Sequence, residues 1–381
     1  MRNPISKPNK WQALRIGFLA LLVTLVVLEL GIRAGDLFLG RGFFSQHRNE
    51  LARVRRPLIP FRTSGFDLYC EEGGVRCISS ADGDAFYPLQ KPEGTFRIVC
   101  FGGSTTAKDP NGRHYPALLE QELRSRLGTD KIEVINVGAA GYATPHSLIL
   151  LELDVLSWEP DLIILSHNIN DLSAQYWPGF TFDYSNKFRN KYYGIPDYES
   201  VYTATNALFQ HSQLYWFVWH RINLLKQKWI MASTKTSGQA EAKLTRRSYG
   251  LEPDPVAVEV FKRNLRSFVT LAKANRIPCV LGTQPLEPSE EYFRRHVAFK
   301  PYNDTVIYPL HEEFVAHHQA YNQAIHEVAS EMGLVCVDNE AVFGGRRELF
   351  LDYVHYLEPG FRLLAQDYAD AILENRFVPS D

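Results

Sequence analysis

Four short segments of the sequence carry side chains suited to acyl transfer. Phe101-Gly102-Gly103-Ser104-Thr105 presents a serine behind a glycine pair, directly after an apolar run. Asn136-Val137-Gly138-Ala139-Ala140-Gly141-Tyr142 is a glycine-broken loop, and Ser166-His167-Asn168-Ile169-Asn170-Asp171 is rich in amides. Asp352-Tyr353-Val354-His355 sets a carboxylate three residues before an imidazole. A serine hydroxyl is a poor nucleophile until a neighbouring imidazole accepts its proton. That imidazole needs an acceptor to fix its tautomer, and the tetrahedral oxyanion needs preorganised donors. Ser104, His355 and Asp352 are suited to the first three roles. The backbone N–H groups of Ser104 and Gly141, with the Asn170 side-chain amide, are suited to the last.

The surrounding pattern predicts what positions them. Short apolar runs at 98–101, 132–137, 162–165, 279–281 and 334–337 read as buried strands. Between them lie helical patterns at 115–127, 147–156, 256–274 and 312–332, and a last one runs from Pro359 to about Asn375. Such alternation implies parallel pairing with both sheet faces covered, hence a three-layer α/β/α fold. Ligands then bind beyond the carboxyl ends of the strands, where all four segments fall. Residues 173–253 interrupt the alternation with many Tyr, Trp and Phe, too long a stretch for a simple crossover, and are expected to form an inserted aromatic cap.

These residues carry a resemblance. Gly102-Gly103-Ser104 after a strand, Gly141 in the second segment, Asn170-Asp171 in the third and Asp352-x-x-His355 before the last helix resemble the SGNH (GDSL-type) hydrolase superfamily, in order, over about residues 97–376. The resemblance implies a flavodoxin-like α/β/α domain and a serine esterase, lipase, acetylesterase or acyltransferase that needs no metal or cofactor. It implies Ser104 as nucleophile, Ser104, Gly141 and Asn170 as oxyanion donors, and Asp352 with His355 completing the triad. Three positions depart from the family's pattern: Gly103 replaces an acidic residue, Asn168 a glycine and Tyr356 a common proline.

Further residues sharpen or narrow the reading. No lysine follows Gly102-Gly103-Ser104-Thr105 in the way a nucleotide-binding P-loop requires. His311 and the adjacent His317-His318 are read as the surface of an amphipathic helix, not metal ligands, because neighbouring helical residues point to different faces. Gln284 after the fourth strand, His167 after the third and Trp177 at the start of the aromatic stretch are candidates to touch substrate. The Trp-rich run Leu214 to Trp219, followed by His220, Arg221, Lys226 and Lys228, is read as a cap helix packed on the catalytic domain, with a membrane-interface helix as its alternative.

Charge and cysteine usage add location. The chain of 381 residues has a net charge of −2, which leaves no basic surface for nucleic acid. Residues 1–15, a basic cytoplasmic tail, hold Arg2, Lys7, Lys10 and Arg15 and no acid, which leaves 37 of the 41 basic residues against all 43 acidic ones in the rest. Directly after this flank, Ile16 to Leu28 lacks a single charge, and 16–32 is expected to be a transmembrane signal-anchor. The competing reading is a cleaved leader, for which Gly31-Ile32-Arg33-Ala34 is a poor site. The basic flank stays cytoplasmic and sends the body to the other side, the periplasm in a bacterium. Residues 33–95 read as a juxtamembrane spacer and decoration ahead of a hydrolase domain at 96–381. Cys70 and Cys77 bracket a polar Gly-Gly turn and are expected to form a disulfide, while Cys100, Cys279 and Cys336 lie in apolar strand runs.

The function expected on this basis is extracytoplasmic hydrolysis of a carboxylic ester, on a small molecule or a glycan. Two alternatives stand beside it: an O-acetyltransferase acting on a cell-surface or secreted glycan, and a non-catalytic module that binds a polymer in the same cleft.

Overall fold

A computed structural model describes residues 10–38, 69–72, 75–80, 85–107, 112–177, 179–188, 248–296 and 309–379, together with residues 212, 214, 218 and 221. The chain divides into two compact units, one of residues 1–56 and 194–238, the other of residues 57–193 and 239–381.

The larger unit is built on five parallel strands. They are β4 (Phe96–Gly102), β5 (Ile132–Asn136), β6 (Leu162–Ser166), β7 (Cys279–Gly282) and β8 (Val335–Val337), in the spatial order β5-β4-β6-β7-β8. Every residue of β5, β6 and β7 is buried, as a sheet covered on both faces requires. Numbered within the sheet, the order is 2-1-3-4-5, so the chain reverses direction of travel between β4 and β6. The crevice at such a reversal is where an open α/β sheet binds ligands.

Side-chain alternation along the strands separates two cores. Val99, Phe101, Ile135, Ile163 and Leu165 face the helices α3 (Thr144–Leu153), α5 (Pro255–Ala274) and α6 (His311–Met332). Ile98, Cys100, Val134, Ile164 and Val280 face α2 (Tyr115–Leu127) and α7 (Glu358–Glu374). A single turn, α4 (Ile169–Leu172), follows β6. The helices start where local chemistry favours it. The His114 ring caps α2 at the Ala117 N–H, and the Asp254 carboxylate caps α5 at Val256 with Pro255 in its first turn.

A three-stranded antiparallel sheet, β1 (Tyr69–Glu72), β2 (Val75–Ser79) and β3 (Phe86–Pro88), precedes the main one. Buried Arg97 ties it down, donating to the carbonyls of Pro88 and Trp158 and pairing with Glu133 at 2.7 Å. Cys77 is disulfide-bonded, and Cys70 stands opposite it in the β1–β2 register. Cys100, Cys279 and Cys336 are free thiols; the first two are buried, and burial raises the Cys279 thiol to about 12.

Of the expected cap insertion at 173–253, residues 179–188 and 248–253 belong to the larger unit and are packed against it, with Tyr176, Trp177 and Tyr184 buried. Apart from residues 212, 214, 218 and 221, the stretch 189–247 lies outside the described residues. His317 and His318 correct the sequence reading. Both are buried, because α6 packs this face against the segments on either side of the insertion: His317 bonds the Tyr176 hydroxyl at 2.8 Å and the Gly250 carbonyl at 2.8 Å.

The smaller unit contains α1 (Lys10–Phe38), longer at both ends than the expected 16–32. Its stretch Lys10–Gly35 has a mean hydropathy of 2.3 over its most apolar window, none of which is buried, and is long enough to cross a membrane. A membrane anchor and a signal sequence both have this character.

Candidate active site

The nucleophile candidate sits on a tight turn. The N–H groups of Thr106 and Ala107 both bond the Gly103 carbonyl, at 3.1 and 3.0 Å, which lifts Ser104 out of the end of β4. Gly103 must be small here: a Cβ would lie 2.6 Å from Nδ2 of Asn170 and 3.1 Å from the Tyr142 carbonyl. The acidic residue usual at this position would collide with the Asn170 amide, so its replacement by glycine fits this loop.

The second loop is registered to the first by the Ala139 N–H, which donates to the Gly102 carbonyl at 3.2 Å. Gly141 takes φ 82°, a conformation that strains any other residue. The third loop then crosses over. Asn170 Nδ2 donates to the Tyr142 carbonyl at 2.9 Å, placing its amide beside Gly103 with a second N–H left to give.

Asp352 and His355 are held by their own short loop. Asp352 Oδ1 accepts the backbone N–H of Val354 at 3.0 Å and of His355 at 2.8 Å. The Leu351 N–H bonds the His355 carbonyl, and Phe350 bridges Tyr356, whose ring is buried among Phe343, Phe350 and Phe361. Tyr356 thus anchors the loop by burial where the resembling family commonly has proline. The result is a continuous chain of contacts: His355 Nδ1 lies 2.7 Å from Asp352 Oδ2, and His355 Nε2 lies 2.7 Å from Ser104 Oγ. A carboxylate can only accept, so Nδ1 carries the hydrogen and Nε2 presents its lone pair to the serine. Burial pushes the Asp352 carboxyl up, but the His355 ring and the two backbone N–H groups outweigh it and hold the group below its usual range.

Behind the third loop lies a buried charged cluster that sequence reasoning did not find. Lys187, at the start of the insertion, donates to the Asn170 carbonyl at 2.7 Å and to the Ser173 hydroxyl. Asp171 accepts the Thr144 N–H and hydroxyl, and Asn264 donates to that hydroxyl at 3.0 Å. Burial raises the Asp171 carboxyl to about 6 against the pull of the Thr144 donors and the Lys187 ammonium. Nothing in the spacing of Lys187, amid an aromatic stretch, pointed to this role.

The three residues read as substrate contacts are all buried. Gln284 is 2% exposed and serves as a tie: Nε2 donates to the Thr105 hydroxyl at 2.9 Å, and Oε1 accepts the Ile169 N–H at 2.8 Å. It therefore joins the residue after Ser104 to the residue before Asn170. Asn322 holds it in place, accepting the Gln284 N–H and donating to its carbonyl, and also takes a bond from Asn168. An asparagine on the apolar stripe of α6 was the one available sign of this network. His167 is 2% exposed, bonded to Ser147 and kept neutral by burial, which lowers it to about 3; Trp177 is 5% exposed.

Replacing Gln284 with leucine is expected to strand the Ile169 and Thr105 groups and to cost about 2 kcal/mol of stability. The loosened loops should lower kcat about 10- to 100-fold with KM little changed. Glutamate at the same position, neutral in this burial, can repeat both bonds and should restore most of kcat. Steady-state kinetics and thermal unfolding of the two variants check this.

Among the described residues no group of three or more His, Cys, Asp or Glu is spaced to hold a metal ion.

Comparison with known proteins adds the following. The family model described as "GDSL-like Lipase/Acylhydrolase family" matches residues 100–363. No curated protein sequence matches the chain. Similar solved structures include the lipase/acylhydrolase from Enterococcus faecalis, 16% identical, covering 75% of this chain and 100% of that one with a TM-score of 0.43. A catalytic mutant of an acetylxylan esterase from Geobacillus stearothermophilus is 16% identical, covering 77% and 100% with a TM-score of 0.42. An alpha/beta hydrolase from the metagenome of Lake Arreo, Spain, is 15% identical, covering 73% and 94% with a TM-score of 0.41.

Proposed function

Since the chain belongs to the GDSL-like lipase/acylhydrolase family and is an ester hydrolase, we propose that it cleaves carboxylic esters through an acyl-enzyme on Ser104. The observation that carries the proposal is the unbroken sequence of contacts from Asp352 through His355 to Ser104, at 2.7 Å each. In the first half-reaction Ser104 Oγ attacks the ester carbonyl carbon while His355 Nε2 takes the hydroxyl proton. The negative charge on the carbonyl oxygen is met by the N–H groups of Ser104 and Gly141 and the free N–H of Asn170. As the tetrahedral species collapses, the C–O bond to the alcohol breaks and His355 returns the proton to the leaving oxygen. Water, deprotonated by His355, then attacks the acyl carbon and frees the carboxylate and Ser104. Asp352 stays ionised and stabilises the imidazolium formed in each step.

Location follows from α1. The reading is a single-pass anchor, its basic flank of Arg2, Lys7, Lys10 and Arg15 cytoplasmic and the hydrolase unit on the opposite side. The disulfide at Cys77 supports an oxidising compartment for that unit. The domain boundaries that accompany it are a basic tail to residue 15, the anchor, a spacer to 95 and the hydrolase from 96, with the insertion near 173–253.

The test is product analysis with purified full-length protein in a mild detergent. Aryl esters of increasing acyl length and acetylated oligosaccharides should yield equal amounts of carboxylate and alcohol. Transfer of the acetyl group to a sugar hydroxyl, with no free acetate, would replace hydrolysis by the transferase reading. Saturable polymer binding without any turnover would favour the binding module.

A further inference from the structure

Helix α1 carries two acidic side chains, Glu29 and Asp36, and the first is not idle. Glu29 follows directly on the thirteen uncharged residues Ile16 to Leu28. It lies about 28 Å along the axis from Lys10, near the far edge of a hydrocarbon layer roughly 30 Å thick. A carboxylate at that depth is costly to place and is normally kept because something uses it.

The structure gives each of its oxygens an occupation. Oε1 holds the Arg33 guanidinium at 2.8 Å, one turn along the same helix. Oε2 accepts the Ser212 hydroxyl at 2.9 Å and the Leu214 backbone N–H at 2.8 Å. Both of these residues come from the aromatic insertion. The helix surface agrees with the contacts. From Lys10 to Gly35 every residue is exposed except Glu29, Ile32 and Gly35, which recur at three-residue spacing on one face. A covered patch thus exists at one end of an otherwise bare helix, at the end remote from the basic flank.

We infer that Glu29 clamps the Ser212–Leu214 segment of the insertion to the outer end of the membrane helix. This rests on the anchor reading above. Two consequences follow. First, α1 is a permanent part of the enzyme and not a leader, since removing it would leave the Ser212 hydroxyl and the Leu214 N–H without the acceptor they share. Second, Ser212 and Leu214 lie at the lipid surface. The sequence beyond the clamp suits that position: Leu214-Tyr215-Trp216-Phe217-Val218-Trp219 precedes His220 and Arg221, and the Val218 and Arg221 side chains are exposed. Aromatic and apolar groups next to a cation are what the headgroup zone accommodates.

The test uses the full chain in its native membrane. With Ile32→Cys and Leu214→Cys combined, which keep the Glu29 carboxylate, the Ser212 hydroxyl and the residue-214 N–H, a short bifunctional thiol reagent should link the two positions in most molecules, read as a joined peptide by mass spectrometry. Neither single variant should give that peptide. If the peptide containing residue 29 is present and both cysteines react with a monofunctional maleimide, yet no link forms, the clamp is wrong and the anchor stands. If the mature protein lacks the peptide containing residue 29, both readings fall. A second measurement avoids cysteines: trypsin cleavage after Arg221 should rise about tenfold in Glu29→Leu and stay within about twofold in Glu29→Gln, which keeps an acceptor. Equal cleavage in Glu29→Leu and the parent would overturn the clamp.

Discussion

Ser104→Ala is expected to lower kcat for an aryl acetate roughly a millionfold, the scale seen when a serine nucleophile is removed from a triad. The geometry leaves no substitute. His355 Nε2 has Ser104 Oγ as its hydrogen-bond partner at 2.7 Å, and without it the imidazole can only activate water at a carbonyl bound for attack by serine. The fold should hardly notice. Ser104 is half-buried at the head of its turn, and that turn is closed by Gly103, Thr106 and Ala107 backbone groups. Melting of the variant should therefore stay within about 1 kcal/mol of the parent, as for a substitution that opens no core cavity. Initial rates on an activated ester, with circular dichroism as control, measure both. Retention of more than about a hundredth of the parent rate would remove Ser104 from the mechanism.

Asp352→Asn is expected to cost about 10⁴-fold in kcat with little change in backbone geometry. The amide oxygen can still accept the Val354 and His355 N–H groups that Asp352 Oδ1 accepts now. The amide nitrogen, however, is a donor turned toward His355 Nδ1. The ring must then move its hydrogen to Nε2 and point it at Ser104, where it can no longer receive a proton. The same substitution has a stability signature. The folded Asp352 carboxyl titrates below its ordinary 3.8, so in the acid range the folded state binds fewer protons than the unfolded one. Its contribution is fully present above about pH 4 and is lost as pH falls through the folded value. Acid unfolding of Asp352→Asn should lack that component, and an unchanged acid midpoint relative to a neutral-pH control would contradict it.

Much of this site was legible because its residues obey backbone rules. An apolar run ended by Gly102-Gly103 reads as a buried strand meeting a turn, and β4 ends there. The helices read at 115–127 and 256–274 were legible from their apolar spacing, and each begins at a capping side chain and a proline. What escaped were residues whose roles depend on contacts distant in sequence. Gln284 follows a strand at the ligand edge, where an amide reads as a substrate contact, yet Thr105 and Ile169 close over it from 179 and 115 residues away. Lys187 looks like any surface lysine until Asn170 and Ser173 surround its ammonium. His317-His318 looked solvated because adjacent helical positions diverge. On α6 the insertion's flanks cover the His317 ring, and the His318 ring is fully buried with Glu340 4.0 Å away. The extent of α1 was understated because Arg15 and Arg33 were read as its edges, whereas the helix continues through both.

A competing serine makes the decisive measurement sharper. Ser147 also lies 2.7 Å from an imidazole, that of His167, but both are sealed inside the body. A fluorophosphonate reacts only with a serine that is both activated and reachable. Full-length protein treated with such a probe, digested and mapped by mass spectrometry, should carry a single phosphonyl adduct on the peptide containing Ser104. That adduct should vanish in His355→Ala. A protein that stays unlabelled while folded, or that is labelled at Ser147 or any other serine instead of Ser104, would contradict the account at its centre.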